Sequence, residues 1–148
     1  MRLGSLRYAL VALVSSLPLS ALAAVTVTAT VTPATTPVSA GASVPVSCYA
    51  EAPASGMLGS TSIDRIDVTV SGGTATPAQL TGSTTGTCSA GTGTCSILQG
   101  AVSWATPAAA GTLSVTCTAV YTTTSFVGSK TYTQASTPAT LDTVAAAL

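Results

Sequence analysis

The sequence has no histidine and no asparagine, and charged residues make up only 5% of its 148 positions. The absence of histidine removes the commonest general base and metal ligand, and it excludes a Ser-His hydrolytic site. The absence of asparagine excludes N-linked glycosylation. We therefore predict no catalytic residue, no metal ligand and no cofactor.

Basic residues are equally scarce. After position 23 the charged residues are Glu51, Asp64, Arg65, Asp67, Lys130 and Asp142, which give a formal net charge of 2 − 4 = −2. Nucleic acids and anionic membranes require clustered Lys and Arg, so both are excluded as partners. The exposed surface must rely on Thr, Ser and Gly. It is either a neutral, hydroxyl-rich surface or one covered by neighbouring subunits, a cell-surface layer or O-linked sugars.

The chain has a single long apolar run, at its start. Arg2 and Arg7 precede an apolar stretch over Tyr8–Leu22, which contains Pro18 and runs into the small-residue triplet Ala21–Ala23. This layout is typical of a secretory signal peptide over residues 1–23, and the stretch is shorter than the roughly 20 residues of a membrane-spanning helix. We expect a secreted or cell-surface protein whose mature chain, residues 24–148, is one domain without a membrane span.

Four cysteines in an exported chain of this size indicate two disulfides. Cys88 and Cys95 enclose a glycine-rich stretch, whereas Cys48 and Cys117 lie far apart, each within an alternating apolar run. Of the three possible connectivities, we favour Cys48 with Cys117 and Cys88 with Cys95.

Several segments alternate between apolar and polar residues, which is typical of half-buried strands. The inward residues would be Val25, Val27, Ala29 and Val31; Val44, Val46 and Cys48; Ile66, Val68 and Val70; and Leu113, Val115, Cys117 and Ala119. No segment of the mature part shows apolar residues at helical spacing. The pattern predicts an all-β, two-sheet sandwich of about seven strands.

Other segments are less regular. We expect a loop over residues 53–62, and we expect Gly100 to kink the strand that contains Trp104. A last segment from Phe126 to Gln134 would close a sheet through Val127 and Tyr132. The tail from about residue 136 is either a short final strand or disordered.

Two stretches resemble a known family. SWATPAAAGTLSVTCTA, from Ser103 to Ala119, is similar to the E-to-F region of bacterial immunoglobulin-like and PKD-like surface domains. SAGASVPVSCYA, which ends at Ala50, resembles the B strand of the same group. The resemblance implies that Cys48 and Cys117 bridge the two sheets and that Trp104 packs near the bridge. AVTVTATVTP also resembles the donor strand of chaperone-usher fimbrial subunits.

Two groups of residues suggest more specific binding sites. Glu51, Asp64 and Asp67 could form a calcium site, but carboxylates on different strands without an Asx-rich loop are more simply solvent-facing, with Arg65 and Asp67 as a surface ion pair. Trp104 and Tyr121 could form a sugar-binding platform, but a single Trp in such a domain is typically in the core.

The sequence thus predicts a secreted or surface-displayed immunoglobulin-like module with a structural or adhesive binding role and no catalysis. Its partner would be a protein or another cell-surface component. The alternative is a fimbrial subunit that forms a homo-polymer by donating residues 24–32 to its neighbour.

Overall fold

The structure is a computed structural model that describes residues 25–33, 36–56 and 59–146. Its regular elements are twelve β-strands: β1 (Thr26–Val31), β2 (Val38–Ser39), β3 (Ser43–Pro53), β4 (Ser55–Gly56), β5 (Gly59–Val70), β6 (Thr74–Thr76), β7 (Gln79–Thr81), β8 (Thr84–Thr87), β9 (Thr94–Ala105), β10 (Gly111–Ser125), β11 (Gly128–Ala135) and β12 (Ala139–Val144). Five have four residues or fewer, which leaves seven longer strands. The predicted signal peptide, residues 1–23, lies outside the described residues.

The strands form two packed sheets. The first has the order β1-β3-β9-β6, with β8 also paired to β9. The second has the order β2-β12-β10-β5-β4, with β11 paired to β10 and β7 paired to β5. Pairing is antiparallel throughout the described strands except between β2 and β12. The predicted all-β sandwich is confirmed, and its arrangement is compatible with an immunoglobulin-like domain.

The core lies between the sheets and follows the predicted alternation. Its best-buried side chains include Val46, Cys48, Ile66, Val115, Cys117 and Ala119, each at most 1% exposed. Cys48 on β3 is bonded to Cys117 on β10, with the two Cα atoms 5.9 Å apart, so a covalent bridge joins the sheets through the core. Cys88 and Cys95 form the second disulfide, and no described cysteine is free. These are the pairs that the sequence favoured.

Gly100 does not kink its strand, contrary to the expectation. β9 runs unbroken through this position, and its inward side is formed by Leu98, Val102 and Trp104. A Cβ atom built on Gly100 would lie 2.9 Å from Leu80 Cδ2, so the Leu80 side chain fills the space that a larger residue would occupy. Because Gly100 has no side chain, Leu80 can pack against the edge of the core at this position.

Trp104 is in the core, as predicted, at 0% exposed. Its Nε1 donates a hydrogen bond to the carbonyl of Gly72 at 2.9 Å. The register places Trp104 opposite Val44, whereas Cys48 lies opposite Gly100. Trp104 and both cysteines of the bridge belong to the same core cluster, with Trp104 four residues along β9 from the position opposite Cys48.

The loop expected over residues 53–62 is much shorter. β3 extends to Pro53, and β4 pairs with the start of β5, Gly56 opposite Gly59. The register of β5 against β10 shifts between Val120 and Tyr121, which lie opposite Arg65 and Ile63. This bulge lets both Ile63 and Ile66 face the core although they are three residues apart.

Most of the expected closing segment from Phe126 to Gln134 is a strand, as predicted: β11 covers Gly128–Ala135 and pairs with β10 in the second sheet. Its first two residues are placed differently. Phe126 and Val127 form the turn between β10 and β11 and are 94% and 84% exposed, while Tyr132 is 44% exposed. Phe126 and Val127 contribute nothing to the core, because the turn places them beyond the last strand pair, Ser125 with Gly128. Of the two alternatives for the tail, the strand is the one observed, as β12.

Candidate functional site

The three carboxylates considered as calcium ligands are not brought together. Glu51 lies on β3 in the first sheet, whereas Asp64 and Asp67 lie on β5 in the second. Asp64 accepts a hydrogen bond from Thr122 Oγ1 at 2.6 Å, and Asp67 forms the predicted surface ion pair with Arg65 at 3.0 Å. Among the residues that the structure describes, no group of three potential ligands is placed to hold a metal ion.

Glu51 is the buried carboxylate of the domain, with 7% of its surface exposed. One of its oxygens accepts hydrogen bonds from the Tyr49 hydroxyl at 2.8 Å and from the Ser89 amide at 3.0 Å. The other accepts a hydrogen bond from the Ser89 hydroxyl. Hydrogen bonds to a carboxylate favour its ionised form, so these three contacts hold Glu51 as an anion, with no ion pair to a cation in the described part of the chain.

These contacts move two pKa values apart. The Ser89 hydroxyl, aided by Tyr49 and the Ser89 amide, lowers the pKa of Glu51 against the opposing effect of burial. Burial, together with the hydrogen bond and charge of Glu51, raises the pKa of Tyr49. Both groups therefore keep their ordinary neutral-pH forms, carboxylate and phenol, over a wider pH range.

Ser89 reaches Glu51 because a small disulfide loop presents it. The Cys88 amide donates to the Gly93 carbonyl at 3.2 Å, and the Gly91 amide donates to the Cys88 carbonyl at 2.9 Å. Gly91 and Gly93 have φ values of 87° and 82°, in the left-handed region that glycine adopts without strain. The Cys88–Cys95 bridge closes this turn, and the bonds from Ser89 to Glu51 tie it down onto β3.

A polar groove of about 770 Å³ lies beside this loop. Thr26, Glu51, Pro53 and Ser55 line one side, and the disulfide loop from Ser89 to Thr94 lines the other. Glu51 is a weak base here, because its pKa is lowered and its oxygens already accept three hydrogen bonds. The groove offers backbone and hydroxyl groups for binding and no activated nucleophile.

The sugar-platform alternative is not supported by the aromatic residues. Trp104 is fully buried and cannot present a face to a ligand. Tyr121 instead stacks on Tyr132 across the β10–β11 pair, with ring centroids 5.7 Å apart and an interplanar angle of 26°. This stack stiffens the hairpin that carries Phe126 and Val127.

Sequence reasoning missed two features. The Glu51–Ser89 contact joins residues 38 positions apart, and no local pattern signals it. The exposed pair Phe126–Val127 gave no local signal, because two-residue hairpin turns favour Gly, Asn and Asp, and two apolar residues before Gly128 resemble a strand instead.

Comparison with protein-family models, with curated proteins and with solved structures finds no match for this chain. The assignment of function therefore depends on the fold and on the geometry described above.

Proposed function

We propose that the protein is an exported immunoglobulin-like module with a structural or adhesive binding role and no catalytic activity. It presents its loops and its polar groove on a disulfide-pinned scaffold, at the cell surface or in the medium. Two disulfides support an oxidising compartment, which agrees with the signal peptide expected from the sequence. Within the described residues, no helix has the length and apolar character to cross a membrane.

The position of β1 carries this proposal. β1 pairs with β3 over six consecutive residues, from Thr26 opposite Glu51 to Val31 opposite Val46. Val27, Ala29 and Val31 pack against the core cluster. The sandwich is completed by its own first strand, which supports a self-contained module over the strand-donating fimbrial subunit.

The chemistry of the groove supports binding over catalysis. Its single carboxylate, Glu51, is engaged by Tyr49 and Ser89, whose hydroxyls are donors in those contacts. A nucleophilic hydroxyl needs a neighbouring base to take its proton, and a carboxylate with a lowered pKa is poorly suited to that role. The same hydrogen bonds instead fix the shape of the groove wall.

Deletion of residues 24–32 tests the proposal. Removal of the three half-buried valines of this segment should cost about 2–3 kcal/mol, at about half of the roughly 1.5 kcal/mol or more that applies to each fully buried Val, and loss of the β1–β3 pairing adds to it. The deleted variant should therefore fail to fold. A matched pair of full-length variants gives a graded readout. Val27→Ala with Val31→Ala should lower the free energy of unfolding in urea, whereas the outward-facing Thr28→Ala with Thr30→Ala should change it little.

The outcome that would contradict the module is specific. Full-length protein would form detergent-resistant polymers on size-exclusion chromatography, and the deleted variant would fold only when a peptide of residues 24–32 is added. A cooperative full-length monomer at micromolar concentration, with the deleted variant unfolded and not rescued by the peptide, supports the module.

A further inference from the structure

The turn between β10 and β11 exposes the two most accessible large apolar side chains among the described residues. Phe126 is 94% exposed and Val127 is 84% exposed, and we call this pair the hairpin tip. Two-residue hairpin turns favour Gly, Asn and Asp, so local turn chemistry does not explain Phe and Val here. Large exposed apolar residues at a protruding point are typical of a contact surface.

The surroundings of the hairpin tip are polar and carry one positive charge. The hairpin tip is flanked by Thr124, Ser125 and Ser129. Lys130 on β11 lies opposite Thr123 on β10. Arg65 is engaged by Asp67, whereas Lys130 forms no ion pair with any described residue. A partner site for the tip should therefore be an apolar cleft with an acidic rim.

Such a cleft exists on the same molecule. It has a volume of about 530 Å³, and we call it the edge cleft; its lining includes Val31, Pro33, Pro37, Val38, Leu141 and Asp142. Val38 and Leu141 form a buried floor, at 3% and 7% exposed. Asp142 is on its exposed rim, where it accepts a hydrogen bond from Thr112 Oγ1 at 2.8 Å and has no cation partner among the described residues.

The hairpin tip and the edge cleft lie at opposite ends of β10. Leu141 of the cleft is opposite Leu113, near the start of β10, and the tip follows Ser125 at its end. At about 3.3 Å per residue, the twelve steps from Leu113 to Ser125 span roughly 40 Å, so the two features cannot meet within one chain. A second copy, displaced along this direction, brings its tip to the cleft of the first.

We propose that copies of this chain associate head to tail, with Phe126 and Val127 of one copy inserted into the edge cleft of the next and Lys130 facing Asp142. The proposal rests on the proposed function, because it names a second copy as the partner of the binding module. At about 530 Å³ the cleft has the volume to receive these two side chains, and because it is open to solvent it covers them only in part.

This contact differs from strand donation in two ways. It leaves β1 in its own sheet, and it buries little area, so association should be weak and should require high local concentration, as on a crowded cell surface. A heterologous contact between opposite ends does not close by twofold symmetry; it forms rings or open chains, depending on the rotation between successive copies.

Directed crosslinking of the full exported protein tests the geometry. Two single-thiol variants, Val127→Cys at the tip and Thr140→Cys at the cleft, are mixed and treated with a short bismaleimide, which leaves the native disulfides intact. We expect a crosslinked heterodimer. The matched control replaces Thr140→Cys by Thr84→Cys, on an exposed position of β8 in the other sheet, and should give no more product than random collision. Unchanged melting temperatures establish that each variant is folded.

Competition and charge exchange test the chemistry. Excess unmodified protein should suppress the crosslink, and excess Phe126→Ser should be about ten- to a hundredfold less effective, since one buried aromatic side chain accounts for a difference of that size. Lys130→Glu in the tip variant should reduce the yield up to about fivefold, and Asp142→Lys in the cleft variant should restore it.

Three results would overturn the proposal: equal crosslinking to Thr140→Cys and Thr84→Cys, full competition by Phe126→Ser, or no concentration-dependent crosslink at all. Sedimentation with vesicles of neutral or anionic lipid tests whether the hairpin tip binds a lipid surface instead. Vesicle binding that depends on Phe126, without the crosslink, would assign the tip to a lipid surface. None of these results bears on the β1 deletion, so failure here and failure of the module are distinguishable.

Discussion

The two disulfides should contribute unequally to stability, and the inequality follows from the loops that they close. The Cys48–Cys117 bridge spans a sequence separation of 69 residues, and the Cys88–Cys95 bridge spans 7. In the chain-entropy model, a crosslink stabilises the fold by restricting the unfolded chain, by about 4 kcal/mol for the long loop and about 2.5 kcal/mol for the short one. We expect the double variant Cys48→Ala with Cys117→Ala to lose more stability than Cys88→Ala with Cys95→Ala.

Packing increases this difference. Cys48 and Cys117 are 1% and 0% exposed in the middle of the core, so their replacement by Ala also leaves a void between the sheets. In the short bridge, Cys95 is 2% exposed but Cys88 is half-buried at the surface of the groove, so only one of its two replacements leaves a buried void. Alanine is the better replacement than serine, because a buried serine hydroxyl without a partner would add its own desolvation cost.

Urea unfolding of the two double variants and the parent protein measures the effect. The variant without the long bridge should lose at least about 4 kcal/mol and should show a larger m-value, because its unfolded chain is free to expand. The variant without the short bridge should lose about 2.5 kcal/mol with a nearly unchanged m-value. Equal losses, or a larger loss for the short bridge, would refute the reasoning.

Two further predictions concern single side chains. Gly100→Ala should destabilise the fold by about 0.5–1.5 kcal/mol in urea unfolding, because its Cβ would lie 2.9 Å from Leu80 Cδ2 and would push this half-buried side chain away from its preferred rotamer. Leu80→Ala in the same chain should make that substitution less costly, and Gly111→Ala, which meets nothing within 4 Å, is the neutral control. Glu51→Gln should destabilise the fold at neutral pH, because the ionised Glu51 stabilises the folded protein. The pKa of Glu51 in the folded protein lies below its ordinary value of 4.5. The stabilisation by Glu51 is therefore complete above pH 4.5 and is lost as the pH falls through the folded pKa. A stability difference from the parent protein that grows on acidification would contradict this assignment.

Alternation along single strands made much of the fold predictable. The inward faces of β3 and β10 follow a period of two around the cysteines of the long bridge, and β5 follows it on either side of its bulge. Gly100 was misread, because a glycine within an apolar run gives no sign that a side chain from another strand fills its place. The bulge in β5 was missed since it depends on the register with β10.

The candidate site was less predictable than the fold. Glu51 stood out as one of few charges, but its donors on the Cys88–Cys95 loop depend on how that loop folds back on β3. Phe126 and Val127 were assigned to a strand because apolar residues usually mark buried positions. At the hairpin tip this rule fails, and such failures concentrate where a chain serves function rather than its own packing.

The edge strands β11 and β1 limit how copies of this chain can associate. Strand addition needs a free edge, and β11 offers one, but Lys130, its third residue, is the kind of residue that discourages pairing with another strand. β1 lies within contact distance of β10, β11 and β12, so its withdrawal would break contacts with both sheets. Side-chain insertion at the hairpin tip avoids both obstacles, since it leaves every strand in place. Association by this route should therefore depend on concentration and dissolve in detergent, whereas association by strand exchange would survive it.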